Sequence, residues 1–307
     1  MMYFILLLSF AALIYGADLM VRGAVNIAAH LGISTLVIGL TLVAWGTSAP
    51  ELVVSLRAGL SGNYGLAIGN ILGSNIANIL LIGGVAAVLI VLKPKGTNTG
   101  RNLWLMAGIT VAVGVAVLLG ELPRWVGATL LVIQVGLIIL AFCKGEADEE
   151  VELENMSLPK ASFLTLAGLA LVILGGLFLV PAAVDIANAW GVPQPIIGLS
   201  ILAVGTSLPE LAATLAAVRQ KENDIILGNI VGSNIANILI VFGFTALIAP
   251  GTLTSPHVYG SQVLIMGLAT AALMALLLIR GHLARTTGLL FLSAYTIFIA
   301  YSYLFLT

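Results

Sequence analysis

Long apolar runs separated by short breaks fill the chain almost from end to end. Each run approaches the roughly 20 residues that a helix needs to cross a hydrocarbon core of about 30 Å. Breaks at glycine, proline and charged residues divide the sequence into about ten predicted helices. Their predicted ranges are 3–29, 34–60, 64–92, 102–120, 123–143, 161–190, 194–218, 224–249, 258–280 and 286–306. The pattern predicts an all-α membrane protein of about ten transmembrane helices.

Composition supports this class and excludes others. Hydrophobic residues make up 60% of the chain and charged residues 8%, and the mean hydropathy is +1.16. Such a composition cannot cover a water-exposed surface with polar side chains. A formal net charge of -1 argues against nucleic acid as a partner. The single cysteine, Cys143, excludes an intramolecular disulfide and a thiolate metal cluster.

One connection between the predicted helices is strongly polar. Residues 144–160 carry a run of glutamate and aspartate and divide the chain into residues 1–143 and 161–307. This run lacks the residue spacing of an EF-hand, so we interpret it as a solvated tether. Lysine and arginine concentrate in alternate connections, which predicts that those connections are cytoplasmic. The predicted orientation places the acidic linker in the cytoplasm and both termini outside it.

The sequence contains an internal repeat. The segment IGLTLVAWGTSAPE, which ends at Glu51, returns as IGLSILAVGTSLPE, which ends at Glu210. The same shift of 159 residues places GNILGSNIAN at 69–78 onto GNIVGSNIAN at 228–237. Because each half holds an odd number of predicted helices, about five, the second half enters the membrane in the opposite direction. The sequence therefore predicts two inverted five-helix repeats, one on each side of the linker, whose matching residues meet near the bilayer midplane.

The two glutamates show whether the repeated segments serve only helix packing or also form a binding site. Glycines in the repeated segments are explained by close contacts between membrane helices. A carboxylate at the centre of a membrane helix costs on the order of 3 kcal/mol on insertion scales, which packing does not explain. Glu51 and Glu210, at matching positions, therefore predict a functional site.

Oxygen-bearing groups lie close to both glutamates in the sequence. Pro50 and Pro209 have no N–H, so each predicts a helix break that frees a backbone carbonyl one turn earlier. Asn75 and Asn234 lie off the helical face of the neighbouring polar residues, and we assign them to hydrogen bonds between helices. The hydroxyl and amide groups predicted to complete the site are Thr47, Ser48, Ser74 and Asn78 in the first half and Thr206, Ser207, Ser233 and Asn237 in the second.

Every predicted ligand is a hard oxygen donor, with no histidine or cysteine in the cluster. Such donors suit Ca²⁺, which takes about 6 to 8 oxygen ligands, rather than zinc, copper or iron. Two ionised glutamates would balance one Ca²⁺, and the same oxygens can bind Na⁺ in its place. A site that holds either ion and opens alternately to each side predicts an antiporter. Protons should compete with both ions, because two nearby buried carboxylates repel each other and lose solvation.

The motifs GTSAPE and GTSLPE, each followed by GSNIAN, resemble the sodium/calcium exchanger branch of the calcium/cation antiporters, and the resemblance covers the whole chain. It implies that Glu51 and Glu210 are the central ligands shared by the ion sites, completed by the hydroxyl and amide groups given above. It also implies ligation by the backbone carbonyls of Ala44 and Ala203. In that family the first and sixth helices slide against the others to switch access.

One departure from the family pattern concerns charge. Some members carry aspartate at the position of Asn237, whereas the two GSNIAN motifs of this chain are symmetric. The missing carboxylate makes potassium co-transport unexpected. It leaves the sodium count open, together with a neutral exchange or the participation of protons.

Three other functions are weighed against sodium/calcium exchange. A proton/calcium exchanger would use the same two glutamates, but its relatives place the glutamate in a GNAxE-like context rather than in GTSxPE. A cation channel could share the oxygen ligands, although inverted repeats with broken helices fit alternating access better. An enzyme is not expected, because no nucleophile and base pair or phosphate loop accompanies the glutamates.

The expected setting is the plasma (inner) membrane of a prokaryote, because the short linker lacks room for the large regulatory domains of animal exchangers. The expected partners are the transported ions Ca²⁺ and Na⁺, with H⁺ as a competitor, and the lipid bilayer. We expect no cofactor, no nucleic acid and no obligate protein partner.

Overall fold

The computed structural model describes residues 2–94, 99–143, 156–191, 203–253 and 259–305. These residues are helical apart from two very short strands and the connections, which confirms the all-α prediction. The helices are α1 Met2–Leu31, α2 Thr35–Thr47, α3 Ala49–Leu60, α4 Tyr64–Leu89, α5 Thr99–Leu119, α6 Arg124–Cys143, α7 Leu158–Ala189, α8 Ala203–Thr206, α9 Leu208–Gln220, α10 Asn223–Ile248, α11 Gly260–Arg280 and α12 Arg285–Phe305. The strands are β1 Glu121–Leu122 and β2 Gly251–Thr252.

Several helices have the length and apolarity of membrane spans. Within the described ranges these are six, namely α1, α4, α5, α7, α10 and α11. The pair α2 and α3, bent by 46° at its break, would make a seventh, and the apolar stretch Arg124–Leu140 of α6 is shorter. The chain is therefore a multi-pass helical membrane protein. The total of ten spans and their inverted arrangement remain predictions.

Helix bounds follow the apolar pattern closely. Where the structure describes a predicted limit, the observed limit lies within about three residues of it. Some predictions fall outside the described residues. These are the linker segment 144–155, the beginning of the seventh predicted span at 194–202, and the side chain of Cys143.

Helices α1 and α7 pack tightly through small residues. A Cβ atom on Gly16 would lie 2.8 Å from the Gly168 carbonyl oxygen, and one on Gly175 would lie 2.9 Å from the Ser9 carbonyl oxygen. Only glycine permits this approach of two backbones. Because contacts at higher numbers in α1 fall at lower numbers in α7, the two helices run antiparallel. The shift of 159 residues that relates the sequence motifs also maps Ser9 onto Gly168 and Gly16 onto Gly175.

Short backbone pairings tie the connections at helix ends to each other. β1 pairs antiparallel with β2, with Leu122 opposite Gly251. Leu92 and Leu283 exchange two backbone hydrogen bonds of 3.1 and 2.9 Å. The most buried elements are α4 and α10, which carry the repeated GSNIAN segments in the interior of the bundle. This arrangement surrounds the polar residues of both segments with apolar helices.

Candidate functional site

Both GTSxPE motifs fold into the same helix break. Ser48 separates α2 from α3 with φ -79° and ψ 6°, and Ser207 separates α8 from α9 with φ -86° and ψ 4°. A proline follows within the first turn of each new helix, a position where its missing N–H costs no helical hydrogen bond. Glu51 and Glu210 therefore lie in the first turn of α3 and of α9, where the helix dipole favours negative charge.

The two glutamates are buried, and groups of the opposite half surround each carboxylate. Glu51 is 0% exposed and Glu210 is 1% exposed. The hydroxyl of Ser48 donates a hydrogen bond of 3.1 Å to Glu210 Oε1. On the other side, the hydroxyls of Thr206 and Ser207 lie near the Glu51 carboxylate. The predicted meeting of the two motifs is therefore observed as a contact between α2–α3 and α8–α9.

The polar residues of α4 and α10 join this cluster. Ser74, Asn78, Ser233 and Asn237 are each at most 1% exposed. Asn78 and Asn237 open π-helical turns, Asn78–Ile82 and Asn237–Phe242. Such turns widen a helix locally and are common at functional sites. The symmetric asparagines thus occupy equivalent positions in backbone geometry as well as in sequence.

Many oxygen atoms of the cluster lack a hydrogen-bond partner within the part of the chain that the structure describes. A buried polar atom without a partner costs about 1–3 kcal/mol, so several in one place require an explanation. Carboxylate, hydroxyl and amide oxygens are ligands of hard cations, and these atoms fit such an ion. The acceptors concerned are Glu51 Oε1 and Oε2, Glu210 Oε2, Asn78 Oδ1, Asn237 Oδ1 and Ser207 Oγ.

The charge of the cluster is limited to its two carboxylates. Among the described residues, no group of three or more histidine, cysteine, aspartate or glutamate side chains could hold a metal ion. The cluster resembles neither a zinc site nor an acidic calcium loop. A cation bound there would be neutralised by Glu51 and Glu210 and otherwise coordinated by neutral oxygens.

Ala44 and Ala203 are the two predicted backbone ligands, and the structure describes the contacts of Ala44 more fully. The Ala44 carbonyl accepts the Ser48 N–H at 3.1 Å and the Thr47 hydroxyl at 3.2 Å. An ion bound by this carbonyl would therefore take the place of the Thr47 hydroxyl. Ala203 begins α8, and its side chain lies outside the described part.

One sequence-based expectation is wrong. Asn75 and Asn234 were expected to form hydrogen bonds between helices. Instead, Asn75 Nδ2 donates to the Ile71 carbonyl at 2.9 Å, and Asn234 Nδ2 donates to the Ile230 carbonyl at 2.7 Å. Both bonds stay within one helix, because an asparagine amide can reach back to the carbonyl four residues earlier.

Two further asparagines belong to the cluster, and sequence reasoning passed over them. Asn70 Nδ2 donates to the Glu51 backbone carbonyl at 3.3 Å and to Ser55 Oγ at 2.9 Å. The matching bonds of the second half are Asn229 Nδ2 to the Glu210 carbonyl at 3.1 Å and to Thr214 Oγ1 at 3.0 Å. The shift of 159 residues relates all three pairs, so the repeat itself carried the signal.

Two acidic residues of the long helices α1 and α7 lie outside the cluster. Asp18 of α1 faces Gln220 of α9, whose Nε2 lies 3.4 Å from Asp18 Oδ1. Asp185 of α7 is exposed. Asn26, which matches Asp185 through the repeat, is 3% exposed and donates to the Arg22 carbonyl at 2.9 Å. The two matching positions therefore have different surroundings.

Comparison with known proteins agrees with the geometry. The family model "Sodium/calcium exchanger protein" matches residues 1–143 and 160–304. The inner membrane protein YrbG of Escherichia coli is 36% identical over 313 residues, covering 97% of this chain and 96% of that protein. The sodium/calcium exchanger MaX1 of Methanosarcina acetivorans is 32% identical over 291 residues, covering 81% of this chain and 83% of that protein.

A solved structure shares the whole fold. The sodium-calcium exchanger NCX_Mj, soaked with 10 mM Na⁺ and no Ca²⁺, superposes with a TM-score of 0.84 at 30% sequence identity, and the match covers 97% of this chain and 98% of that one. Family membership indicates a membrane transporter rather than an enzyme. The chain belongs to the sodium/calcium exchanger protein family.

Proposed function

We propose that this protein is a secondary active antiporter that exchanges Na⁺ for Ca²⁺ across the inner membrane of a prokaryote. The observation that carries the proposal is that two buried carboxylates from matching halves converge, and that the Ser48 hydroxyl of the first half donates a hydrogen bond of 3.1 Å to the Glu210 carboxylate of the second. A single site built by both halves is what alternating access requires, because movement of one half relative to the other then changes the side to which it opens.

Ca²⁺ fits the charge and the donors of the proposed site. Two ionised glutamates neutralise one Ca²⁺, and neutral oxygens supply the remaining ligands. The proposed ligands are Glu51, Glu210, the side chains of Thr47, Ser48, Ser74, Asn78, Thr206, Ser207, Ser233 and Asn237, and the backbone carbonyls of Ala44 and Ala203. Na⁺ is also a hard cation and would use subsets of the same oxygens. Occupancy by one kind of ion then excludes the other, which couples the two fluxes.

The proposed conformational change uses the α1–α7 pair. These helices contact each other through glycines and run antiparallel, as the matching first helices of two inverted repeats would. α7 also contacts the breaks: a Cβ on Gly176 would lie 3.0 Å from Pro209 Cγ and 3.5 Å from Pro50 Cγ. A pair that touches both breaks can open one access path as it closes the other. The proposed domains are the five-helix repeats 1–143 and 161–307, joined by the linker 144–160, with both termini outside the cytoplasm.

Proton/calcium exchange is a second candidate, and one observation favours it. The described part of the cluster holds only two carboxylates, so several Na⁺ ions replacing one Ca²⁺ would leave excess positive charge. Two protons on Glu51 and Glu210 would instead leave the cluster neutral. Sodium remains preferred, because GTSxPE rather than a GNAxE-like motif surrounds each glutamate.

Transport measurements with purified protein separate the two candidates. Proteoliposomes are loaded with Na⁺ and diluted into buffer that contains ⁴⁵Ca²⁺, with and without an imposed pH gradient. Sodium/calcium exchange predicts uptake that follows the Na⁺ gradient in the absence of a pH gradient. Uptake driven only by the pH gradient would contradict the sodium assignment and support the second candidate.

A further inference from the structure

Asn70 and Asn229 hold the helix turns that carry the glutamates. Each amide nitrogen donates to the backbone carbonyl of a glutamate and to a hydroxyl four residues later, with distances between 2.9 and 3.3 Å. A side chain bonded to both positions fixes the rotation of that turn, and with it the direction of the carboxylate. The amide adds no charge to the cluster, so the neutralisation of a bound cation remains with the glutamates.

The acceptor oxygens of the same two asparagines have unequal partners. Asn70 Oδ1 accepts the hydroxyl of Thr206 at 3.4 Å, a bond that joins the two halves. Asn229 Oδ1 accepts the hydroxyl of Ser233 at 3.4 Å, a bond within α10. In the first half, Ser74 donates to the Asn70 backbone carbonyl at 2.8 Å. Residues that match in sequence thus take different partners.

The matching threonines Thr47 and Thr206 also take different partners. Thr206 donates across the cluster to Asn70. Thr47, which matches it in the repeat, donates to the Ala44 carbonyl of its own half at 3.2 Å. The matching bond across the cluster would run from Thr47 to Asn229 Oδ1, whose partner in this structure is Ser233. One of two equivalent bonds between the halves is therefore made.

We propose that Asn70 and Asn229 are positioning residues whose acceptor oxygens exchange partners when the site changes the side to which it opens. This inference rests on the proposed function, because it requires alternating access. Inverted repeats reach the opposite state when their two halves exchange conformations. The opposite state then has the bond from Thr47 to Asn229 and lacks the bond from Thr206 to Asn70. Each asparagine stabilises one of the two states.

A serine that loses its bond to an asparagine side chain can bond a backbone carbonyl of its own half instead. The bond between the two halves has no such replacement. Ser74 shows that the serine hydroxyl is satisfied by the backbone carbonyl of residue 70, which any substitution retains. Removal of one asparagine side chain therefore weakens mainly the state in which that side chain joins the halves. A shift in this equilibrium changes the apparent affinity on the two faces of the membrane in opposite directions.

The test uses the full chain in right-side-out and inside-out membrane vesicles. The Ca²⁺ concentration for half-maximal exchange is measured at each face for the wild type, Asn70→Ala and Asn229→Ala. We expect the outside-to-inside ratio of these concentrations to shift about three-fold in one direction for Asn70→Ala and about three-fold in the other for Asn229→Ala. Shifts in the same direction, or no shift in either variant, would overturn the proposal.

Matched variants separate this effect from a general loss of packing. Asn75→Ala and Asn234→Ala remove amides whose Nδ2 atoms donate along their own helix within the described part of the chain, and we expect them to leave the ratio unchanged. If either alanine variant fails to reach the membrane, Asn70→Ser or Asn229→Ser replaces it under the same criterion. A wild type without Na⁺-driven Ca²⁺ transport would refute the proposed function and this inference with it. Normal wild-type exchange with an unchanged ratio in both variants refutes this inference alone.

Discussion

The two halves of the cluster have the same residues but different contacts. Ser48 and Ser207 have nearly equal backbone angles, yet Ser48 bonds Glu210 while Ser207 Oγ has no hydrogen-bond partner among the described residues. The same local sequence gives each break nearly the same backbone, because a proline at the second position of the new helix fixes its own φ and has no N–H to continue the preceding helix. Side-chain partners depend on how the halves meet. A pseudo-symmetric site held in one conformation is therefore unequal in its contacts while equal in its chemistry.

The largest expected effect tests the equality of the two halves. Glu51→Gln and Glu210→Gln each remove one of two buried negative charges and keep the size of the side chain. We expect each variant to reduce Ca²⁺ transport in proteoliposomes by at least about 100-fold, because a single carboxylate cannot neutralise Ca²⁺ in a buried site. Elution as a monodisperse species in size-exclusion chromatography would show that both variants fold. Near-normal uptake by either one would show that the halves are not equivalent.

The second effect is competition between protons and Ca²⁺ for the carboxylates of Glu51 and Glu210. Protonation removes the charge that binds the cation, so acid should weaken Ca²⁺ binding and higher pH should strengthen it. If one proton displaces the ion, the Ca²⁺ concentration for half-maximal transport rises by up to about ten-fold for each unit by which the pH falls, and reaches that slope where the carboxylate of the ion-free protein is mostly protonated. Initial rates of ⁴⁵Ca²⁺ uptake between pH 5.5 and 8.5 measure this dependence. A half-saturating concentration independent of pH would contradict competition at the glutamates.

The third effect tests the inequality of the serines. Ser48→Ala removes an observed bond to a carboxylate, whereas Ser207→Ala removes a hydroxyl that lies near Glu51 but has no hydrogen-bond partner among the described residues. A hydrogen bond to a charged group is worth about 1.5–3 kcal/mol, so we expect Ser48→Ala to weaken Ca²⁺ binding about ten-fold. Ser207→Ala should weaken it by about three-fold or less. Isothermal titration of the two purified variants under the same conditions gives both values, and a larger loss for Ser207→Ala would reverse the comparison.

The smallest effect concerns a matching pair outside the cluster. Asn26 is buried and bonded to the Arg22 carbonyl, while Asp185 is exposed at the end of α7. Because solvent screens an exposed charge, Asp185→Asn should change the half-saturating Ca²⁺ concentration by less than about two-fold. This test is most sensitive when the half-saturating concentration is measured with Ca²⁺ on the external face. A marked loss of external affinity would place Asp185 on an access path.

The apolar pattern predicts the helices because membrane helices must satisfy their own backbone hydrogen bonds. It predicts the end of α3 and both limits of α10 closely, and the repeat predicts the convergence of Glu51 and Glu210. The pattern does not predict the π-helical turns at Asn78 and Asn237, because they depend on packing between distant helices. Nor does it predict the hydrogen bonds of the Asn70 side chain. Its Nδ2 donates to two residues of α3 and its Oδ1 accepts from a residue of the other half, and tertiary structure determines both sets of partners.

The proposed exchange of Na⁺ for Ca²⁺ requires that two glutamates from two halves form one cation site. Isothermal titration of the purified protein with Ca²⁺ in Na⁺-free buffer tests this claim most directly. It predicts one Ca²⁺ bound per chain in the wild type and no measurable binding in Glu51→Gln or in Glu210→Gln. Two independent Ca²⁺ ions per chain, with each variant losing only one, would contradict it.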